Sequence, residues 1–276
     1  MVSLGFSMQL KYDRPHIQVI ELLRDAGFCA ISPVWSPELP WEDLVAYTQK
    51  LGMTVQSVHT PHGGQPILWD PKDPRFAVTL KGFTDCIDTC AQFGIPIAVM
   101  HGWQGLQYVF PEEPLDFSAF DRIVDYAEER KVSIAFENLE GEEYLHALMT
   151  RYRHRPHIGY CWDSGHDHCY PHKLDFLETF GDRLIMTHIH DNFGTRDLGG
   201  VPTTLDDLHL LPYDGNICWE SAIGRLKNLP KQEILNFELK KLCKSPAPGD
   251  RIYAELSTEE YFRLAAQRAR RIADLY

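Results

Sequence analysis

One alternation constrains this chain more than any other feature: short apolar runs of strand character recur along its length, separated by longer amphipathic segments. Eight such runs fall at 3–8, 28–33, 53–59, 95–101, 132–138, 157–163, 183–190 and 233–239. Between them the spacing predicts helices, among them Arg14 to Ala26, Trp41 to Leu51, Asp73 to Phe93, Phe117 to Arg130 and Ser257 to Ala273. Gly27, Gly52 and Gly94 stand where a helix end wants a left-handed residue, and Ser257 with Glu260 reads as a capping box. Strands that alternate with helices build parallel sheets. Eight such units in 276 residues favour closure into a (β/α)8 TIM barrel, which takes about 250 residues, over an open doubly wound sheet. The expected architecture is therefore α/β, with one domain spanning 1–276.

A barrel strand turns alternate side chains inward, and barrel active sites gather at the strands' C-terminal ends. In 132–138, Val132, Ile134 and Phe136 share the helix-facing side and leave Glu137 pointing into the mouth. The same parity puts Asp163 inward behind Ile158, Tyr160 and Trp162, and Glu238 inward behind Leu235 and Phe237. His188 and His190 lie inward on 183–190, while the third and fourth runs end at His59 and His101. Singly, each has an ordinary explanation as a satisfied polar residue or a helix cap. Together, carboxylates converging in a partly desolvated mouth would repel one another, and a divalent cation is the simplest compensation. Two Glu, one Asp and one His suit Mn2+, Zn2+, Fe2+ or Co2+ better than Ca2+.

Further polar residues surround these ends. His166 follows the sixth strand, and the loop Asp206 to Gly215 carries Asp207 and His209; they read either as a helix cap and a surface loop or as groups folded over the mouth. Trp35, Trp69 and Trp103 follow the second, third and fourth strands, where they suit the apolar faces of a sugar and core packing about equally. Lys240 shares the parity of Glu238 and is a candidate acid.

Composition narrows the partners. With 27 Lys and Arg against 39 Asp and Glu, the net charge of −12 repels polyanions and anionic membranes unless basic residues gather locally. The one dense basic run, Arg268, Arg270 and Arg271, reads as cations at the negative end of the last helix. Seven scattered cysteines do not form a disulfide framework, and Cys86 and Cys90, four apart, read as buried small hydrophobes. No run of about 18 uncharged apolar residues and no basic-then-apolar leader is visible, so a cytoplasmic location without membrane contact is expected. No Gly-rich phosphate cradle or converging Arg pair appears, which points to an unphosphorylated substrate.

The segments Phe136-Glu137-Asn138, Trp162-Asp163-Ser164-Gly165-His166, His188-Ile189-His190-Asp191-Asn192, Asp207-Leu208-His209 and Phe237-Glu238-Leu239-Lys240 make the chain resemble, over nearly its whole length, the xylose isomerase-like TIM barrel superfamily. That superfamily holds sugar isomerases and epimerases, inosose dehydratase-like proteins and the endonuclease IV repair enzymes (AP endonuclease family 2). By resemblance to its ketose epimerases, Glu137, Asp163, His188 and Glu238 would hold one divalent metal, Mn2+ or Zn2+ first, with Fe2+, Co2+ or Mg2+ as alternatives. Glu137 and Glu238 would double as the catalytic proton-transfer pair. By resemblance to endonuclease IV-like members, His59, His101, His166, Asp207 and His209 would complete a three-metal cluster; under the epimerase reading His190, His166 and His209 would orient substrate or hold additional metal.

The implied activity is isomerisation or epimerisation of a sugar or polyol through a metal-stabilised enediolate. The alternatives are endonuclease IV-like phosphodiester hydrolysis and a non-catalytic sugar-binding barrel. Two departures speak against nucleic acid: His59-Thr60-Pro61-His62-Gly63-Gly64 lacks an aromatic residue to probe a duplex, and Phe110-Pro111-Glu112-Glu113-Pro114 brings no positive charge. A small-molecule sugar is thus the expected partner, and a homo-oligomer is compatible with the resemblance.

Overall fold

The computed structural model describes residues 2–276. Its strands are β1 (Ser3–Met8), β2 (Ala30–Pro33), β3 (Thr54–Val55), β4 (Val58–His59), β5 (Ile97–His101), β6 (Ser133–Glu137), β7 (Ile158–Asp163), β8 (Leu184–His188) and β9 (Ile234–Phe237). The α-helices are α1 (His16–Ala26), α2 (Trp41–Lys50), α3 (Gln65–Leu68), α4 (Phe76–Phe93), α5 (Ser118–Glu129), α6 (Glu142–Arg151), α7 (Ser164–Cys169), α8 (Phe176–Phe180), α9 (Trp219–Leu226) and α10 (Thr258–Leu275). Every strand pairing is parallel.

The strands form two arcs, β3-β2-β1-β9 and β4-β5-β6-β7-β8. Single bridges, Val34 to His59 and Ile189 to Phe237, join the arcs into a ring. At the seams Trp35 N donates to the His59 carbonyl (2.8 Å), Ile189 N to the Asn236 carbonyl (2.9 Å) and Glu238 N to the Ile189 carbonyl (3.2 Å). The result is the expected TIM barrel.

The run at 53–59 is split where one continuous strand was expected. Val55 and Val58, three apart, both belong to the helix-facing core, so Gln56 and Ser57 both turn inside. There Ser57 Oγ donates to Ser32 Oγ (2.9 Å) and Gln56 Nε2 to the Ile234 carbonyl (3.4 Å). Two successive inward residues cannot keep the alternation of a regular strand.

Outward side chains such as Phe6, Ile31, Ile134, Phe136, Trp162, Leu235 and Phe237 pack beneath the helices in the main core. Inside the ring, the layer below the mouth is divided. Val99, Ala135, Cys161 and Met186 make an apolar half, whereas Asn236 Nδ2 donates to Ser7 Oγ (2.7 Å) in the polar half formed with Ser32 and Ser57.

Helix ends follow local chemistry. Gly27 (φ 106°) and Gly94 (φ 67°) close α1 and α4 in the left-handed region, and the Ser257–Glu260 capping box opens α10. The basic run sits differently from the sequence expectation. Because α10 continues to Leu275, its last turn holds no basic residue. Instead Arg268 pairs with Asp214 (2.8 Å), Arg270 donates to the Ala26 carbonyl at the end of α1 (2.9 Å), and Arg271 lies over the Tyr213 ring (3.6 Å). Cys86 and Cys90 are buried on the inner face of α4. Among the described residues no helix is long and apolar enough to cross a membrane.

Candidate metal centre

The ends of β4 to β9 deliver their terminal polar side chains into one buried cluster. Ligand atoms of Glu137, Asp163, His188 and Glu238 lie within 4.8 Å of one another. So do those of His166, His190, Asp207 and His209, and those of His59, His62 and His101. His188 Nδ1 is 3.0 Å from Glu137 Oε1 and 2.9 Å from Glu238 Oε2, so the two glutamates meet across one imidazole. The four residues first read as ligands are therefore close enough to share one ion. The remaining five of the nine candidate ligands and His190 flank them.

Hydrogen bonds fix the imidazoles. Nδ1 of His59, His166 and His209 faces the carbonyls of Thr60 (2.8 Å), Asn138 (2.9 Å) and Glu238 (2.9 Å). A carbonyl can only accept, so Nδ1 carries a proton toward the backbone when it makes this bond, and Nε2, which at His209 faces Asp207 Oδ2 (2.9 Å), is the nitrogen left for a metal once any proton on it is displaced. His209 holds this orientation with positive φ (50°), an uncommon state for a residue with Cβ, and stacks on His190 at 4.0 Å. Asp163 is held from behind: Asn138 Oδ1 accepts from Asp163 N (2.8 Å), Asn138 Nδ2 donates to its carbonyl (2.8 Å), and Tyr160 OH donates to Asn138 Oδ1 (2.9 Å). Asp163 Oδ1 also accepts from His166 N (2.7 Å) as the N-cap of α7.

Gly165 makes this convergence possible. A Cβ there would sit 1.8 Å from His190 Cε1, and that ring is fully buried. At Gly215 a Cβ would lie 2.2 Å from Asp191 Oδ1. Asp191 organises the loop by accepting from the backbone of Tyr213 (2.9 Å) and Ile217 (3.2 Å) and from Trp219 Nε1 (3.0 Å).

Several buried atoms lack hydrogen-bond partners: Glu137 Oε2, Asp163 Oδ2, Asp207 Oδ1 and both ring nitrogens of His190. Glu137 Oε2 lies 3.3 Å from Nε2 of both His59 and His101, and His190 Nε2 lies 2.9 Å from Asp163 Oδ1, yet none of these contacts has hydrogen-bond geometry. Each such orphan costs about 1–3 kcal/mol, more when charged. Side chains that approach without bonding one another are arranged like ligands converging on a third body, and these residues fit a divalent cation on that ground.

The electrostatics agree. Burial works hardest against the Glu137 and Glu238 carboxylates, but His188 with His101 and His166 at Glu137, and His188 with His209 and Lys240 at Glu238, together outweigh it and hold both well below the usual carboxylate range. Burial likewise opposes a proton on His188, yet the two glutamates raise its pKa well above the ordinary imidazole value. His166 is raised against burial by Asp163 and Asp207. His209, by contrast, is lowered by burial to about 4. Imidazolium protons thus supply positive charge where a cation would.

Above the cluster lies a cavity of about 110 Å³, lined by His62, Gln104, Glu140, Tyr170, Lys240 and Lys244 among others. Lys240 loses part of its proton affinity to burial. The tryptophans are employed elsewhere. Trp35 Nε1 donates to Thr89 Oγ1 of α4 (2.9 Å), Trp69 Nε1 to the Gly102 carbonyl (2.9 Å), and Trp103 stacks on Tyr144 (4.4 Å) while donating to the Gly105 carbonyl (2.9 Å). None lines the cavity, because the loops after β2, β4 and β5 turn these indoles toward helices. Sequence reasoning passed over His62 and Glu140. His62 had a signal, its spacing from His59; Glu140 had only its place three residues after Glu137.

Comparison with known proteins agrees with this architecture. An uncharacterized protein, y4fM, of Sinorhizobium fredii (strain NBRC 101917 / NGR234) is 31% identical over 307 aligned positions, covering 96% of this chain and 90% of the relative. The IOLI protein structure with a binding zinc atom superposes with a TM-score of 0.73 at 19% identity, covering 99% of this chain and 97% of that one. D-psicose 3-epimerase with D-tagatose from Clostridium cellulolyticum H10 gives a TM-score of 0.72 at 12% identity, covering 99% of both chains. Residues 18–261 match the family described as Xylose isomerase-like TIM barrel, and the chain belongs to that family.

Proposed function

We propose that this protein is a metal-dependent isomerase or epimerase of a sugar or polyol, with Glu137 and Glu238 exchanging the proton of the reacting carbon. The observation that carries this reading is the approach of both glutamates to His188 Nδ1, at 3.0 and 2.9 Å, from strands separated by β7 and β8. Two carboxylates addressing one small volume from different strands can remove a proton and return one at a carbon held between them. Glu137, Asp163, His188 and Glu238 would hold the ion. When bound, it supplies Lewis-acid stabilisation of negative charge on substrate oxygen.

The chain's own residues do the rest. Histidine hydrogen bonds to backbone carbonyls hold the rings, and the Asn138 clamp holds Asp163. Burial excludes water from Glu137, which is 1% exposed. Lys240, lining the cavity with its proton affinity lowered by burial, could give a proton to a substrate oxygen. The neighbours described as a D-psicose 3-epimerase with D-tagatose and an L-ribulose 3-epimerase support a ketose as the first substrate to try. The test is proton exchange in deuterated water with D-tagatose and D-allulose after metal loading: deuterium enters beside the carbonyl with wild type and not with Glu137→Gln or Glu238→Gln. Full exchange in either variant would sink the assignment.

A second reading, phosphodiester hydrolysis by up to three ions, is favoured by the two further groups, His166/His190/Asp207/His209 and His59/His62/His101. A metal-to-protein ratio near three, with nicking of abasic-site DNA, would move the assignment there.

A further inference from the structure

Glu140 is buried (8% exposed), and its Oε2 has no hydrogen-bond partner. It lies outside the metal-competent groups but lines the cavity above them. The local chain explains why it points there. After β6, Asn138 and Leu139 are buried and Gly141 takes φ 74°. A Cβ on Gly141 would lie 2.6 Å from Trp103 Cβ, so the backbone turns tightly against that tryptophan as α6 begins. This turn leaves the Glu140 carboxylate on the cavity wall rather than in solvent.

A buried carboxylate oxygen without a donor is costly, and Glu140 forms no ion pair with a described residue. The cavity's lysines are engaged elsewhere: Lys244 Nζ is 4.0 Å from Asp207, and Lys240 faces Glu238 and Asp207. A donor bound in the cavity would complete the Glu140 carboxylate. Lysines on the same wall disfavour an ammonium group, and Glu140 itself disfavours a phosphate or carboxylate. A neutral hydroxyl satisfies both constraints.

We propose that Glu140 is a specificity-determining residue that accepts a hydrogen bond from a substrate hydroxyl beyond those on the metal, and that the site therefore takes a neutral polyhydroxylated substrate. This rests on the sugar reading of the preceding subsection. The binding claim is separable from the chemistry, because Glu140 takes no part in proton transfer.

The experiment uses metal-loaded full-length protein with D-tagatose, D-allulose and their 4-, 5- and 6-deoxy analogues as probes, measured by calorimetry. Glu140→Ala should weaken binding of at least one parent ketohexose about tenfold or more, the value of roughly one hydrogen bond to a charged group. Metal content and melting temperature should stay at wild-type values, and Glu140→Gln, which keeps an acceptor oxygen, should recover part of the affinity. One deoxy analogue should bind wild type and Glu140→Ala equally, identifying the hydroxyl that is read. Unchanged ketohexose affinity in Glu140→Ala, loss of metal in that variant, or no binding of either ketohexose to wild type would each overturn the proposal. Binding through Glu140 without solvent exchange would leave it standing and remove only the isomerase chemistry.

Discussion

At the scale of single residues, buried polar atoms that lack partners define this site. Glu137 combines full burial with an oxygen bonded to nothing in the protein, a costly arrangement that a bound cation would relieve. Glu137→Gln and Glu238→Gln are each expected to lower turnover by about 10²–10⁴, the usual worth of a positioned acid or base, with the fold intact by circular dichroism. Gly165→Ala forces a methyl into the His190 ring, and the stack on His209 leaves that ring no free direction. We expect it to cost about 1–3 kcal/mol in a denaturation midpoint and to weaken metal binding; a variant that melts and binds like wild type would refute the packing account. His188 and His166 are raised above the ordinary imidazole value, so both are protonated at pH 7 before metal enters. Metal must displace those protons, so uptake of Zn2+ in weakly buffered solution should acidify the medium, and apparent affinity should climb as pH rises above 7.

At the scale of elements, sequence parity read the strands well because period two leaves little freedom once one face must meet helices. Ile134 and Phe136 in the core leave Glu137 no other direction, and the same holds for Leu235, Phe237 and Glu238. Parity did not reveal the split at Gln56 and Ser57, since two consecutive polar residues are as compatible with a turn as with a doubled inward step. Helices were expected between the strands, but the pair in the gap between β7 and β8 was not legible individually, because Ser164–Cys169 and Phe176–Phe180 are too brief to show a helical period. The tryptophans illustrate a further limit: an indole after a strand can face substrate or helix, and only a partner such as Thr89 on α4 decides. The reading of Arg268, Arg270 and Arg271 depended on where α10 stops, and element boundaries are poorly marked in sequence. Arg268→Ala should loosen the Asp214 loop beside the site, detectable as faster backbone hydrogen exchange across 211–217, with little change in global stability because the pair is partly exposed.

At the scale of the molecule, the sheet is two arcs joined by one residue pair at each seam. His59 belongs to the first seam, while His188 and Glu238 flank the second. An ion held among these side chains would therefore rivet the halves together at the rim, where backbone pairing alone is thinnest. Metal loading should slow hydrogen exchange at the amides of Ile189 and Glu238 more than at those of β6 and β7, deep within one arc; equal protection in both places would show that the rim gains no stiffness. Stripping the ion would then do more than silence chemistry. It would let the cylinder gape along two lines, so that occupancy and the shape of the entrance rise and fall together.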